Sequence, residues 1–191
     1  MKSQKKSSWL FSFLIGMAVL TIGFASLFFI PAIDYAVYEN KADGVRLKYP
    51  VNWKVIDHPA GGTMVVFIAA KQNAMDVTPA IANVAVQSLS SLNVRPERYT
   101  ETVVRQITGT FGDAIEVLED NSTRFAGRRG HRLMYVGKPK KELKESPMQY
   151  LHVWTVNATT AYVFTFAAKK DRFKSYQAAV NGMIKSFEIL L

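Results

Sequence analysis

The chain has 191 residues, 24 Lys and Arg against 15 Asp and Glu, a formal charge of +9, and no cysteine. The missing cysteine excludes disulfides, Cys-ligated zinc or iron-sulfur centres, a thiol nucleophile and a lipid anchor attached through Cys. An apolar fraction of 49% with 12% aromatics is too high for a disordered chain, and the length suits one ordinary domain with a short appendage.

The appendage comes first. Lys2, Lys5 and Lys6 lie in a basic tip, residues 1–8, and residues 9–33 then run without one charged side chain. As a helix, the stretch from Trp9 to Ile30 would reach ~33 Å, enough for a hydrocarbon core of ~30 Å, with Pro31 as its stop. Trp9 on one side and Tyr35 and Tyr38 on the other suit the two interfaces, and lysines before the span put the tip in the cytoplasm and the rest outside. The alternatives are a buried core helix, for which about 22 uncharged residues behind a basic cluster are unusual, and a cleaved signal peptide. Gly23-Phe24-Ala25 is the best small-x-small site, but cleavage there would leave the apolar Ser26-Leu27-Phe28-Phe29-Ile30 as a new start, which favours an uncleaved anchor. Residues 34–43 read as a juxtamembrane linker.

Residues 44–191 read as one globular domain. Val45, Leu47 and Tyr49 alternate with Arg46 and Lys48 in a half-buried strand that ends at Pro50. Short strands are predicted at 53–56 and 63–70, with a turn over 58–62, and another where Ala82, Val84 and Val86 alternate with small or polar residues. Pro96 opens a helix with Tyr99, Val103, Ile107 and Phe111 along one stripe. Strands follow at 115–118, 123–126, 132–136, 150–156 and 162–167, with turns at 127–130 and 157–160. Asp171 is the predicted N-cap of a last helix burying Phe173, Tyr176, Val180 and Met183 or Ile184. Strands, helix, strands, helix, joined by short links, predict an α+β fold with a largely antiparallel sheet rather than a doubly wound one. Trp53, Phe67, Val84, Tyr99, Val103, Phe164, Phe166, Val180 and Phe187 are expected to share a single core.

The chemistry-bearing residues are sparse. The sequence contains no P-loop, dinucleotide fingerprint, His-Glu-x-x-His or Gly-x-Ser-x-Gly. His58 falls in a turn, and His131 and His152 fall on strands, none with a second ligand at metal spacing. Glu116, Glu119 and Asp120 read as a solvated face. Gly127-Arg128-Arg129-Gly130 matches a Gly-x-x-Gly loop, but it lies between strands, which fits a hairpin turn with two exposed arginines and not a nucleic-acid clamp between helices. The loop with Lys138, Lys140, Lys141 and Lys144 is a second basic site, diluted by Glu142 and Glu145.

Three segments together carry a family resemblance. They are Gly44-Val-Arg-Leu-Lys-Tyr-Pro-Val-Asn-Trp53, Thr123-Arg-Phe-Ala-Gly-Arg-Arg-Gly-His131, and the stretch from Ala161-Tyr-Val-Phe-Thr-Phe166 to Met183-Ile-Lys-Ser-Phe-Glu-Ile189. In their order and spacing they resemble the PsbP-like family, which also takes in bacterial exported proteins of the DcrB type. The resemblance implies an antiparallel sheet sandwiched by helices, and proteins that mostly bind or help assemble other proteins. It supplies no shared catalytic motif, and no metal ligand can be carried onto matching positions.

The expected protein is therefore a non-catalytic, membrane-anchored binding or assembly module. It is single-pass, with its tip in the cytoplasm and its domain periplasmic or extracellular, contacting the membrane through its N-terminal helix. A protein partner is expected and nucleic acid is not, and no cofactor or metal is called for. The contact is placed on Arg128 and Arg129 with His131 and Arg132 beside them, because forked guanidinium groups suit carboxylate or phosphate. The competing class is an extracytoplasmic hydrolase whose site is scattered through the sequence.

Overall fold

Ladder after ladder of antiparallel hydrogen bonds joins seven strands in the order β3-β4-β5-β9-β8-β7-β6. These are β3 (Lys54–Asp57), β4 (Val65–Ile68), β5 (Ile81–Ser88), β6 (Ile115–Phe125), β7 (Arg128–Gly137), β8 (Met148–Asn157) and β9 (Thr160–Lys169). A second sheet has β2 (Val45–Pro50) at its centre, flanked by β1 (Tyr35–Asn40) and the two-residue β10 (Glu188–Ile189). Two helices complete the domain, α1 (Pro96–Phe111) and α2 (Gln177–Lys185), the latter entered through a 3-10 turn at Phe173–Tyr176. The computed structural model describes residues 32–59, 62–71, 78–89, 94, 96–137 and 147–190.

Strand periodicity gives the large sheet two apolar faces, each covered by different elements. On one face Leu133, Tyr135, Trp154, Ala161 and Val163 receive Tyr99, Val103, Val104 and Ile107 of α1. On the other, Phe67, Val84, Val153, Phe164 and Phe166 receive Val180 and Met183 of α2 together with Val45 and Leu47 of the small sheet. The expected single core is thus two, separated by the sheet: Tyr99 and Val103 belong to the α1 side, and the remaining residues of the expected set belong to the α2 side. The sheet is antiparallel and helix-flanked as expected, but its second face is shared between a helix and another sheet.

Several boundaries differ from expectation for local reasons. The predicted linker contains β1, whose six residues pair with β2 from Tyr35↔Pro50 to Asn40↔Val45. Its apolar alternation is weak because only Tyr38 is driven inward, edge to face on Phe67 at 5.7 Å. The separate strands predicted at 115–118 and 123–126 are one, β6, whose polar middle looked like a break and whose register slips between Val117 and Glu119. Asp171 caps nothing: it is exposed, and neither the 3-10 turn nor α2 has a side-chain cap. The basic tip and the segment 9–33, apart from 32 and 33, fall outside the described residues, as do 138–146 with the lysine-rich loop. Among the described residues no helix is long and apolar enough to cross a membrane.

Candidate functional site

The hairpin of β6 and β7 turns on Ala126 and Gly127, both at positive φ (48° and 73°), and Phe125 pairs directly with Arg128. This is a two-residue loop with the backbone signs of a type I′ turn, which follows the twist of the strands. It corrects the expected turn at 127–130, since Arg128 and Arg129 are already the first residues of β7. Gly130 follows because β8 passes close: a Cβ there would run into the Trp154 carbonyl oxygen.

Strand alternation then divides the four expected contact residues between two faces. Arg129 and His131 share a face with Leu133 and Tyr135, toward α1, whereas Arg128 and Arg132 share the other with Met134. The structure does not bring the four together as one patch. His131 is only 15% exposed; its Nε2 lies 2.5 Å from the Asp120 Oδ1, and its ring rests on the Trp154 indole at 4.9 Å. That indole in turn donates to the Thr100 hydroxyl at 3.0 Å, tying α1 to the sheet. Arg132 donates from Nε to the Glu119 Oε2 at 2.6 Å. Both residues therefore serve the β6–β7 ladder. The carboxylates read as a solvated face hold these pairs, and Glu116 is met by Lys170 at 3.3 Å.

Arg129 is different. Its side chain is 85% exposed and its nearest carboxylate, Glu97 of α1, is 3.9 Å away. Directly across the ladder stands Arg124, also exposed, which donates to the Gly127 carbonyl at 2.7 Å. Two like charges face one another on a hairpin, a pairing that costs stability. Arg124 was not among the expected contact residues. Its signal was the two-residue loop, which makes residues 124 and 129 cross-strand partners.

A polar cluster lies under the other end of the α1 face. His152 accepts or donates at both ring nitrogens, to the Tyr135 hydroxyl at 3.0 Å and the Thr165 hydroxyl at 3.2 Å, and Tyr135 stacks on Tyr150 at 5.0 Å. Burial pushes the His152 imidazole down to about 4. Burial raises the Tyr135 hydroxyl, with Tyr150 adding to the effect. These groups satisfy one another inside the fold.

For chemistry, Asp120 and His131 form a carboxylate–imidazole pair across β6 and β7, with Ser122 the cross-strand partner of His131, while the exposed His58 stands between Asp57 and Asp43 at 3.2 and 3.4 Å. No hydrogen bond joins Ser122 to His131 among the described residues. Nor do three His, Asp or Glu side chains converge there as metal ligands. A cavity of about 460 Å³ opens elsewhere, on the outer side of the small sheet beside the end of α2.

The domain's arrangement is shared with solved structures. Cyanobacterial PsbP (CyanoP) from Synechocystis sp. superposes with a TM-score of 0.59 at 15% identity, covering 84% of this chain and 95% of that one. LpqN of Mycobacterium tuberculosis, a protein involved in cell envelope biogenesis, gives 0.56 at 12% identity over 84% and 93%. The Saccharomyces cerevisiae Ran-binding protein Mog1p gives 0.56 at 10% identity over 83% and 97%. Identities this low show the fold alone. No curated protein matches the chain. The PsbP family model matches residues 33–189, which takes in both sheets, both helices and the arginine hairpin, and the chain belongs to the PsbP family.

Proposed function

We propose that the protein is a non-catalytic binding module, anchored by residues 9–33 and carrying its PsbP domain outside the cytoplasm, where the α1 face of the β6–β7 hairpin meets an acidic protein partner. The observation that carries this reading is the facing, exposed pair Arg124 and Arg129. Two guanidinium groups across one ladder repel one another even though Arg124 donates to the Gly127 carbonyl and Arg129 approaches Glu97, and a partner carboxylate between them lowers that repulsion. Of the four residues expected from the sequence, Arg129 is the contact, Arg128 borders it from the opposite face, and His131 and Arg132 keep the hairpin in register. The basic tip followed by an uncharged stretch supports the anchor and its direction. The part of LpqN in cell envelope biogenesis and the Ran binding of Mog1p agree with a binding role on this fold.

Crosslinking in native membranes tests the contact. Replacing Arg124 and Arg129 by Gln is expected to leave folding and membrane association intact and to reduce the crosslinked product at low salt. The difference from wild type should shrink as salt rises, because screening weakens the wild-type contact as well. Equal crosslinking of both proteins at low salt would remove this face as the contact.

A further inference from the structure

The small sheet buries Val45, Leu47 and Tyr38 and turns its other side outward, where Val37 of β1, Arg46 and Lys48 of β2 and Glu188 of β10 stand. The last turn of α2 and its C-cap, with Lys185 and Ser186, form the wall of the 460 Å³ cavity there. Two details keep this wall in place. The Lys48 N–H, left without a strand partner where β10 ends, donates to the Ser186 hydroxyl at 2.9 Å. Tyr35 packs over Gly182 with its hydroxyl toward the Ala178 and Ala179 carbonyls, and a Cβ at Gly182 would strike the Tyr35 ring.

The charges in this cavity are unevenly spent. Arg46 is held by Glu39 at 2.7 Å and by Glu188 at 3.5 Å, which uses both nearby carboxylates. Lys48 and Lys185 make no ion pair among the described residues. Lys185 also stands at the negative end of α2, a place that favours a cation but leaves its charge available to an outside anion. An apolar residue, Val37, 58% exposed, and the Tyr35 ring lie alongside. The size is that of a small-ligand site, and the lining combines two available ammonium groups with apolar surface.

We infer that this cavity seats the phosphate of an anionic phospholipid headgroup between Lys48 and Lys185, with Val37 and Tyr35 against the glycerol and upper acyl carbons. The inference rests on the membrane-anchored reading above and deepens it. The cavity lies on the small sheet, which covers the α2 face of the large sheet, while Arg124 and Arg129 are on the α1 face. One side of the domain thus reads lipid and the opposite side remains free for a protein.

The test uses the full chain in nanodiscs of phosphatidylcholine, with phosphatidylglycerol added in steps, and reads hydrogen exchange at the amides of residues 46–48 and 182–188. Phosphatidylglycerol should slow exchange there, and Lys48→Gln with Lys185→Gln should require roughly thirtyfold more of the anionic lipid for the same protection, at about 1 kcal/mol for each lysine near a charged surface. Lys174→Gln, an exposed lysine on the 3-10 turn, should behave as wild type. Protection that persists in the double variant, or no protection in a chain that resists alkali extraction, overturns the cavity as a headgroup site and leaves the anchor standing. Equal protection by inorganic phosphate in pure phosphatidylcholine discs overturns the lipid in favour of a soluble anion. A chain that alkali strips from the discs overturns the anchor, and this inference with it.

Discussion

At the scale of single residues, His152 gives the sharpest expectation. Its imidazole sits at about 4 in the folded protein against 6.5 when exposed, because burial penalises the charged form. Above pH 6.5 it is neutral in both states and contributes no pH dependence. Between pH 6.5 and about 4 the unfolded chain takes up a proton that the folded one refuses, so stability falls as pH falls, and below pH 4 the loss levels off. The full penalty is roughly 3–4 kcal/mol at most. Denaturant midpoints measured between pH 7.5 and 5 should therefore slope more steeply in wild type than in His152→Gln, and parallel slopes would contradict the buried, neutral assignment. Gly130 is the second such position. Gly130→Ala places a methyl against the Trp154 carbonyl at the first pair of the β7–β8 ladder and should cost an amount of the order seen for overpacking, ~1–3 kcal/mol. The sequence displays Gly130 plainly but not its cause, because only the register shows that β8 lies against it.

At the scale of elements, the two helices, the inner strands and the β8–β9 turn at 157–160 were legible, and the β6–β7 turn was not. The stripe Tyr99, Val103, Ile107 announces α1, and these three side chains do face the sheet. Alternation in residues 45–49 likewise announces β2, and with it the outward placing of Arg46 and Lys48 that forms the cavity. The β6–β7 turn misled because Gly127 and Gly130 invite a loop between them, whereas the chain turns one step earlier, forcing Ala126 into the left-handed region. That conformation costs a non-glycine residue ~1 kcal/mol. Asn is favoured there, so Ala126→Asn should stabilise the domain by roughly 0.5–1 kcal/mol in a denaturant titration. A loss of stability would mean that the turn differs from the one described. The candidate contact was half legible: Arg129 stood out as one of two arginines in a turn. Arg124 did not, because its partnership with Arg129 exists only once the loop length is known.

At the scale of the whole molecule, the order of elements was enough to give an antiparallel sheet with helices, but not the division of its interior. Apolar periodicity says that a residue is inside without saying on which face of a sheet, so Tyr99 and Phe164 looked equivalent and are not. Phe164, fully buried on the α2 side among Val84, Val153 and Phe67, should lose ~3–5 kcal/mol on Phe164→Ala. Because the sheet separates it from Tyr99, Phe164→Ala and Tyr99→Ala should be nearly additive, within about 0.5 kcal/mol. Marked coupling between them in a double-mutant cycle would contradict two separate cores.

Both the arginine contact and the headgroup site depend on which side of the membrane holds the domain. Protease added to cells whose outer barrier is permeabilised and whose inner membrane is sealed addresses this directly, with a cytoplasmic protein followed as the seal control. Digestion of the PsbP domain, leaving a short membrane-embedded fragment that resists alkali, is the predicted result. Full protection of the domain until the inner membrane is broken would contradict an extracytoplasmic module and remove the surface on which both contacts are placed.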